Sequence, residues 1–167
     1  GKPNAKTRFG IVPAKGGATR WLSLPSGYEY VAQVSWEKGH PPTFTLLDRA
    51  QRKLAIWTDG TADPIAKRDD PYWIDVDEST PKWAPNGALV WNADVEQLGL
   101  RGAALGARAI NPSGVRYQKF LGTNTDGTRL FFLGGERPTA SRVYYAHERT
   151  ATPVTAALDN ITDAVLN

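Results

Sequence analysis

Cysteine and methionine are both absent from the 167 residues, and histidine occurs only twice. The missing cysteine excludes disulfide staples, zinc-finger ligation and a thiolate nucleophile, and leaves the compartment open. No apolar run approaches the roughly 18 to 20 residues of a membrane-spanning helix, and the N-terminus lacks the charged, apolar and small-residue succession of a secretory signal. The first residue is Gly1 and not Met, so the chain reads as a processed piece or an excerpt of something longer. Helical periodicity is missing as well: no stretch repeats apolar residues at i, i+3, i+4 and i+7 over three turns. Clustered cations are the last absence. The net charge is +3, but Lys and Arg are scattered singly among the acids. Nucleic-acid binding, which needs cations grouped to release counterions, is not expected.

What the chain does have is 41% hydrophobic and 22% charged residues, which is ordinary for a soluble globular domain and argues against disorder. Short runs rich in Val, Ile, Phe, Tyr and Trp recur between Gly, Pro, Asn and Asp clusters, an all-β pattern. The expected strands are Arg8–Val12, Thr19–Leu22, Tyr30–Trp36, Thr43–Asp48, Lys53–Thr58, Ala62–Ala66 and Thr80–Trp83. The series continues with Ala88–Asn92, Gln97–Leu100, Ala107–Ile110, Val115–Gly122, Arg129–Gly134, Arg142–Ala146 and Thr152–Ala156.

The phrases VAQVSWEKG (31–39), STPKWAPNG (79–87) and YQKFLGTNTDG (117–127) return at blade-like intervals, 47 residues from Trp36 to Trp83 and 38 from Trp83 to Leu121. Each is followed by three more short strands, and four antiparallel strands per repeat is the unit of a β-propeller blade. The expected fold is therefore all-β, about three to four four-stranded antiparallel blades forming an arc of a larger ring. The approximate division is 1–27 for the end of one blade, 28–70, 71–114 and 115–160 for three blades, and 161–167 for the start of another. A meandering β-sandwich is the alternative. Trp36 and Trp83 are expected at equivalent, largely buried first-strand positions, and Ile161–Leu166 as a further first strand.

The order GKPN before a strand, then TFTLLDRAQRKLAIW, DPYWIDV leading into the turn WAPNG, and RYQKFLGTNTDGTRLFFLGG, resembles the N-terminal β-propeller domain of the dipeptidyl peptidase IV family. The likeness covers essentially the whole chain and is weakest over Glu96–Gly114. It implies a middle fragment of an eight-bladed propeller whose parent carries a C-terminal α/β-hydrolase. Such serine exopeptidases cleave dipeptides from peptide N-termini with a Ser-Asp-His triad and no metal or cofactor. The propeller gates access and shapes the substrate cavity. The implied partners are that hydrolase domain, the remaining blades and peptide substrates, in a periplasmic or secreted setting, with a homodimer as the simplest association of exposed blade faces. A stand-alone propeller-type binding or scaffold module is the rival reading.

The family's amine-binding glutamates lie upstream and its triad downstream, so no catalytic residue is expected here. The sequence agrees. It has no G-x-S-x-G nucleophile elbow, and neither His40 nor His147 has a sequence partner of the kind a triad needs. The Gly-rich stretches GLRGAALG (99–106) and FLGG (132–135) lack the order of a phosphate-binding loop and read as turns.

The acidic stretch DDPYWIDVDESTPKW (69–83) stands apart, with Asp69, Asp70, Asp75, Asp77 and Glu78 around Tyr72 and Trp73. It lacks the turn Gly and terminal bidentate Glu of a calcium loop, so no metal is expected. Whether any two of its carboxylates form an acid/base pair depends on environment, which sequence does not display. By the family resemblance, Trp73, Asp75, Asp77 and Glu78 are candidates for lining the substrate cavity. The plainer reading is a solvated connection between blades, with Tyr72 and Trp73 packed as anchors.

Overall fold

A computed structural model of the chain describes residues 7–95, 100–106, 108–110, 114–137, 139–147, 150–156 and 161–166. The described residues hold fourteen strands and no helix. A two-stranded sheet pairs β1 (Gly10–Ile11) with β2 (Arg20–Trp21). Three four-stranded antiparallel meanders follow. The first contains β3 (Tyr30–Ser35), β4 (Thr43–Leu47), β5 (Lys53–Thr58) and β6 (Ala66–Asp69). The second contains β7 (Lys82–Trp83), β8 (Leu89–Val95), β9 (Leu100–Leu105) and β10 (Arg108–Ile110). The third contains β11 (Arg116–Thr123), β12 (Leu130–Gly135), β13 (Arg142–His147) and β14 (Thr150–Pro153). Strands pair in chain order throughout, the arrangement of propeller blades.

The central strands show why apolar runs appear unbroken in the sequence. Every residue of β4 is buried. Because successive side chains point to opposite faces of a sheet, Phe44, Leu46, Ala55 and Trp57 enter one core cluster, while Leu47, Leu54 and Ile56 enter another. The first cluster is covered by Phe9, Leu22 and Leu24 from around the two-stranded sheet. The second joins the first blade to the second through Leu89, Trp83 and Trp91. A third packs Ala84 and Val90 of the second blade against Tyr117, Phe120, Leu130, Phe132, Tyr144 and Ala146 of the third. Every sheet is thus stacked face to face on the next. A buried polar tie crosses the interface between the first and second blades, with Arg68 Nη1 donating to Asn92 Oδ1 at 3.1 Å.

The inner strands β7 and β11 are sheet edges, and side chains satisfy part of their free backbone. Glu37 Oε2 accepts from the Trp83 N–H at 2.7 Å, and Ser79 Oγ accepts from the Phe120 N–H at 2.9 Å. Trp83 is held further by the His40 ring, stacked at 4.8 Å and 4°, and by its own Nε1–H donating to Thr43 Oγ1 at 3.0 Å.

Several expectations are corrected. Trp36 lies beyond the end of β3 and is 66% exposed, not buried. The register explains this: Val34 pairs with Phe44, Trp83 with Leu89 and Phe120 with Phe132. Val34, and not Trp36, therefore holds the position of Trp83. The strand expected at Ala62–Ala66 runs instead over Ala66–Asp69, because 59–65 is spent on the turn after β5. The Gly-rich segments are turns only in part: Gly102 lies in β9, and Gly134 and Gly135 end β12, while Gly106 takes a φ of 62° in the turn after β9. A Cβ at Gly134 would come within 2.8 Å of the Arg116 carbonyl, and one at Gly135 would collide with that of Ala140. These glycines permit close backbone approach. Most of the strand expected at Gln97–Leu100 lies outside the described residues. Ile161–Leu166 forms no ladder; it is held by a bond from its first N–H to the Ser141 carbonyl at 3.4 Å and by Lys119 Nζ donating to Asp163 Oδ1 at 2.8 Å.

Candidate functional site

The connection from β6 to β7, residues 70–81, crosses the end of the first blade in extended form. Its course is fixed by backbone bonds to the β4–β5 hairpin: the Asp70 N–H donates to the Arg52 carbonyl and the Ile74 N–H to the Gln51 carbonyl, both at 2.8 Å. Asp70 Oδ1 then accepts the N–H groups of Tyr72 and Trp73 at 2.7 and 2.9 Å, closing a side-chain-capped turn. Those two donors, with help from Arg68, hold the Asp70 carboxyl below its ordinary range.

Ile74 is the anchor. It is buried among Leu47, Leu54, Ile56 and Leu89, so the extended backbone turns its neighbours outward. Trp73 is 58% exposed and Tyr72 86% exposed. The packed-aromatic reading of this loop is thereby corrected: a single aliphatic residue makes the anchor that the two aromatics were expected to supply.

A cleft of about 530 Å³ opens between this connection and β3. Trp73, Asp75 and Glu78 line it, together with Gln33 of β3 and Gln51 of the hairpin. Gln33 Nε2 donates to the Glu78 carbonyl at 3.1 Å and so clips the far end of the connection to the strand.

Asp77 is placed differently. Its carboxylate is half-buried and turned toward the third blade, where Oδ2 accepts the Tyr117 hydroxyl at 2.6 Å and Oδ1 accepts both the N–H and the hydroxyl of Ser79, at 2.9 and 2.5 Å. Ser79 passes the connection on to β11 through the Phe120 N–H. Tyr117 is buried, and burial together with the Asp77 charge pushes its phenol far above the ordinary value. Three of the four sequence candidates thus share one cleft, while Asp77 braces the segment behind it.

Sequence reasoning passed over Gln33 and Gln51. Gln33 is the one polar residue in the run YVAQV, and Gln51 adopts a left-handed φ of 54° in a hairpin turn. Both are visible as oddities of pattern, and only the fold brings them to one place. His40 is engaged with Trp83, and His147 ends β13, where its carbonyl accepts the Thr150 hydroxyl. Among the described residues, no group of three or more metal-ligating side chains converges, and no helix is long and apolar enough to cross a membrane.

A family model described as the dipeptidyl peptidase IV N-terminal region matches residues 1–165. Comparison with curated proteins finds no match.

Proposed function

Starting from the fact that this chain belongs to the dipeptidyl peptidase IV N-terminal region family, we propose that it is a non-catalytic propeller segment of a dipeptidyl peptidase IV-like serine exopeptidase, shaping the cavity through which peptides reach a hydrolase domain. The match over residues 1–165 carries this reading. The three stacked four-stranded sheets support a division into blades at 28–70, 71–114 and 115–160, with 1–27 completing one blade and 161–167 beginning another. The chemistry of the chain supports the division of labour. It has no nucleophile elbow, and the ring of His40 is stacked on Trp83. Hydrolysis is therefore assigned to an α/β-hydrolase domain of the parent, and access and shape to this one.

Within that reading, Trp73, Asp75 and Glu78 form part of the cavity wall, and Asp77 holds them in place through the third blade. The setting is periplasmic or secreted, and the partners are the hydrolase domain, the other blades and peptides.

The test is the parent enzyme. Its reading frame should continue into a G-x-S-x-G elbow followed by Asp and His. In the purified protein, Trp73→Ala should raise KM for dipeptidyl substrates with little change in kcat, the mark of lost uniform binding. A parent with no hydrolase domain would overturn the reading in favour of a binding or scaffold module.

A further inference from the structure

Of the seven asparagines, Asn86 alone is followed by glycine. That pair has a chemistry of its own, because Gly87 carries no Cβ and its backbone nitrogen meets little steric resistance on approaching the Asn86 side-chain carbon. The nitrogen gives its proton to base and attacks Asn86 Cγ; the new C–N bond closes a cyclic imide as ammonia leaves. Water then opens the imide to aspartate or isoaspartate. One water enters and one ammonia departs, with no oxidation or reduction. Both residues are exposed in the turn between β7 and β8, so base and water reach them.

The fold engages each atom that this reaction needs. The Gly87 N–H, the nucleophile, donates to the Ala84 carbonyl at 2.9 Å. Asn86 Oδ1 accepts the Ala88 N–H at 3.0 Å, and Nδ2, the leaving group, donates to the Gly127 carbonyl at 3.0 Å. Gly127 belongs to the β11–β12 hairpin of the third blade and lies directly on the amide: a Cβ built there would come within 2.8 Å of Asn86 Cγ, the carbon to be attacked. Nucleophile, leaving group and electrophile are thus all held, the last two by a neighbouring blade.

We propose that Asn86 is a site of spontaneous deamidation and that docking of the third blade governs its rate. Closing the imide requires the Gly87 nitrogen to leave the Ala84 carbonyl and the Asn86 side chain to leave Gly127, so the reaction passes through a local opening of the two hairpins. Neither product restores the tie. The carboxylate that replaces the amide has no N–H for the Gly127 carbonyl and sets acceptor against acceptor. Modification therefore loosens the contact between the second and third blades. The inference concerns that contact and is independent of whether the parent protein hydrolyses peptides.

The test is peptide mapping by mass spectrometry of the 167-residue chain held at mildly alkaline pH, in buffer and in guanidinium chloride. Amide-to-acid conversion in denaturant should be fastest at Asn86, and about tenfold or more slower at that residue in the folded chain, where the bonds to Ala84, Ala88 and Gly127 must first open. Gly127→Ala displaces the Asn86 side chain and should speed conversion in buffer, with circular dichroism checking that the variant is folded. If it is not, the parent in denaturant below its unfolding transition takes its place, and its conversion should rise before the chain as a whole unfolds. Asn86→Asp, which stands for one product, should lower the denaturation midpoint. Equal rates in the folded and unfolded parent overturn the control by the third blade. So does a folded Gly127→Ala that converts no faster than the parent, or a flat rate below the transition. Conversion concentrated at another asparagine, or none in denaturant, overturns the site itself, and an unchanged midpoint in Asn86→Asp overturns the loosening.

Discussion

The Tyr117 hydroxyl donates a 2.6 Å hydrogen bond to Asp77 Oδ2, tying the connection between the first and second blades to the first strand of the third. Because Asp77 sits between the cleft residues Asp75 and Glu78, this contact links the position of the cleft wall to the packing of a neighbouring sheet. Tyr117→Phe should keep the ring in its cluster with Phe132 and Tyr144 and lose only the bond to a charged acceptor, at a cost of about 1.5–3 kcal/mol in denaturant unfolding with an unchanged m-value.

The same tyrosine gives the fold an alkaline limit. Its folded-state pKa is raised above the ordinary 10.0 by burial and by Asp77. Its contribution to stability is therefore fully present below pH 10 and is lost as pH rises above it, where the unfolded chain releases the proton that the folded one keeps. Tyr28 and Tyr144 are shifted in the same direction, so the informative quantity is the difference between parent and Tyr117→Phe. The slope of stability against pH between about 10 and 11 should be shallower in the variant. Identical slopes would show that Tyr117 ionises as freely in the fold as out of it.

The two tryptophans of the repeated phrase should part company on mutation. Trp83 is wedged between His40 and the core, with its indole N–H bonded to Thr43 and its backbone N–H to Glu37. Trp36 is 66% exposed. Trp83→Ala should cost about 3 kcal/mol, near the range for buried aromatics, and Trp36→Ala under about 1 kcal/mol. Urea titration of both variants measures the gap, and equal costs would mean that the register described for β3 and β7 is misplaced.

That contrast also marks where the sequence was readable. TFTLL and KLAIWT declare themselves as central strands, because apolar residues at consecutive positions, with only Thr between them or at their ends beside Lys53, satisfy both faces of a sandwiched sheet. The repeat of turn and strand phrases likewise exposes the blade unit. Burial of a particular tryptophan depends on which sheet lies opposite, and local pattern carries no trace of it. Asp77 illustrates the same limit. Its sequence neighbours suggest an acidic loop, while its function in the fold is set by Tyr117 and Ser79, the first of them in another blade. Gly134 and Gly135 look like turn residues until the close backbone approach that requires them is known.

Gly127 is among the glycines that serve turns, and it is coupled to a second blade. Gly127 adopts φ +70° in the β11–β12 hairpin, and its carbonyl accepts the Asn86 side-chain amide at 3.0 Å. A Cβ there would lie 2.8 Å from Asn86 Cγ. Gly127→Ala should therefore cost about 1–2 kcal/mol for the left-handed backbone and more for the collision. In an Asn86→Ala background the collision disappears and only the backbone part should remain, so the double-mutant cycle should be non-additive. Additive costs would mean that the Asn86 side chain swings aside freely.

The last prediction follows from a face that the fold leaves uncovered. In the second and third blades, the inner-strand residues Trp83 and Phe120 pack against the preceding sheet. The matching Val34 of the first blade is 47% exposed, and Trp36, just past the end of β3, is more so. The two-stranded sheet covers Phe44 and Trp57 through Phe9 and Leu22 and leaves that inner margin bare. Water penalises a contiguous apolar margin of this kind, and a second copy of the chain can cover it by presenting the same patch about a two-fold axis. The isolated chain should therefore associate at micromolar concentration, and Val34→Lys with Trp36→Lys should return it to monomers, since a lysine pair facing its own copy repels. Light scattering decides. A monomer of 18.2 kDa at all concentrations would show that Val34 and Trp36 are tolerated in water as they stand.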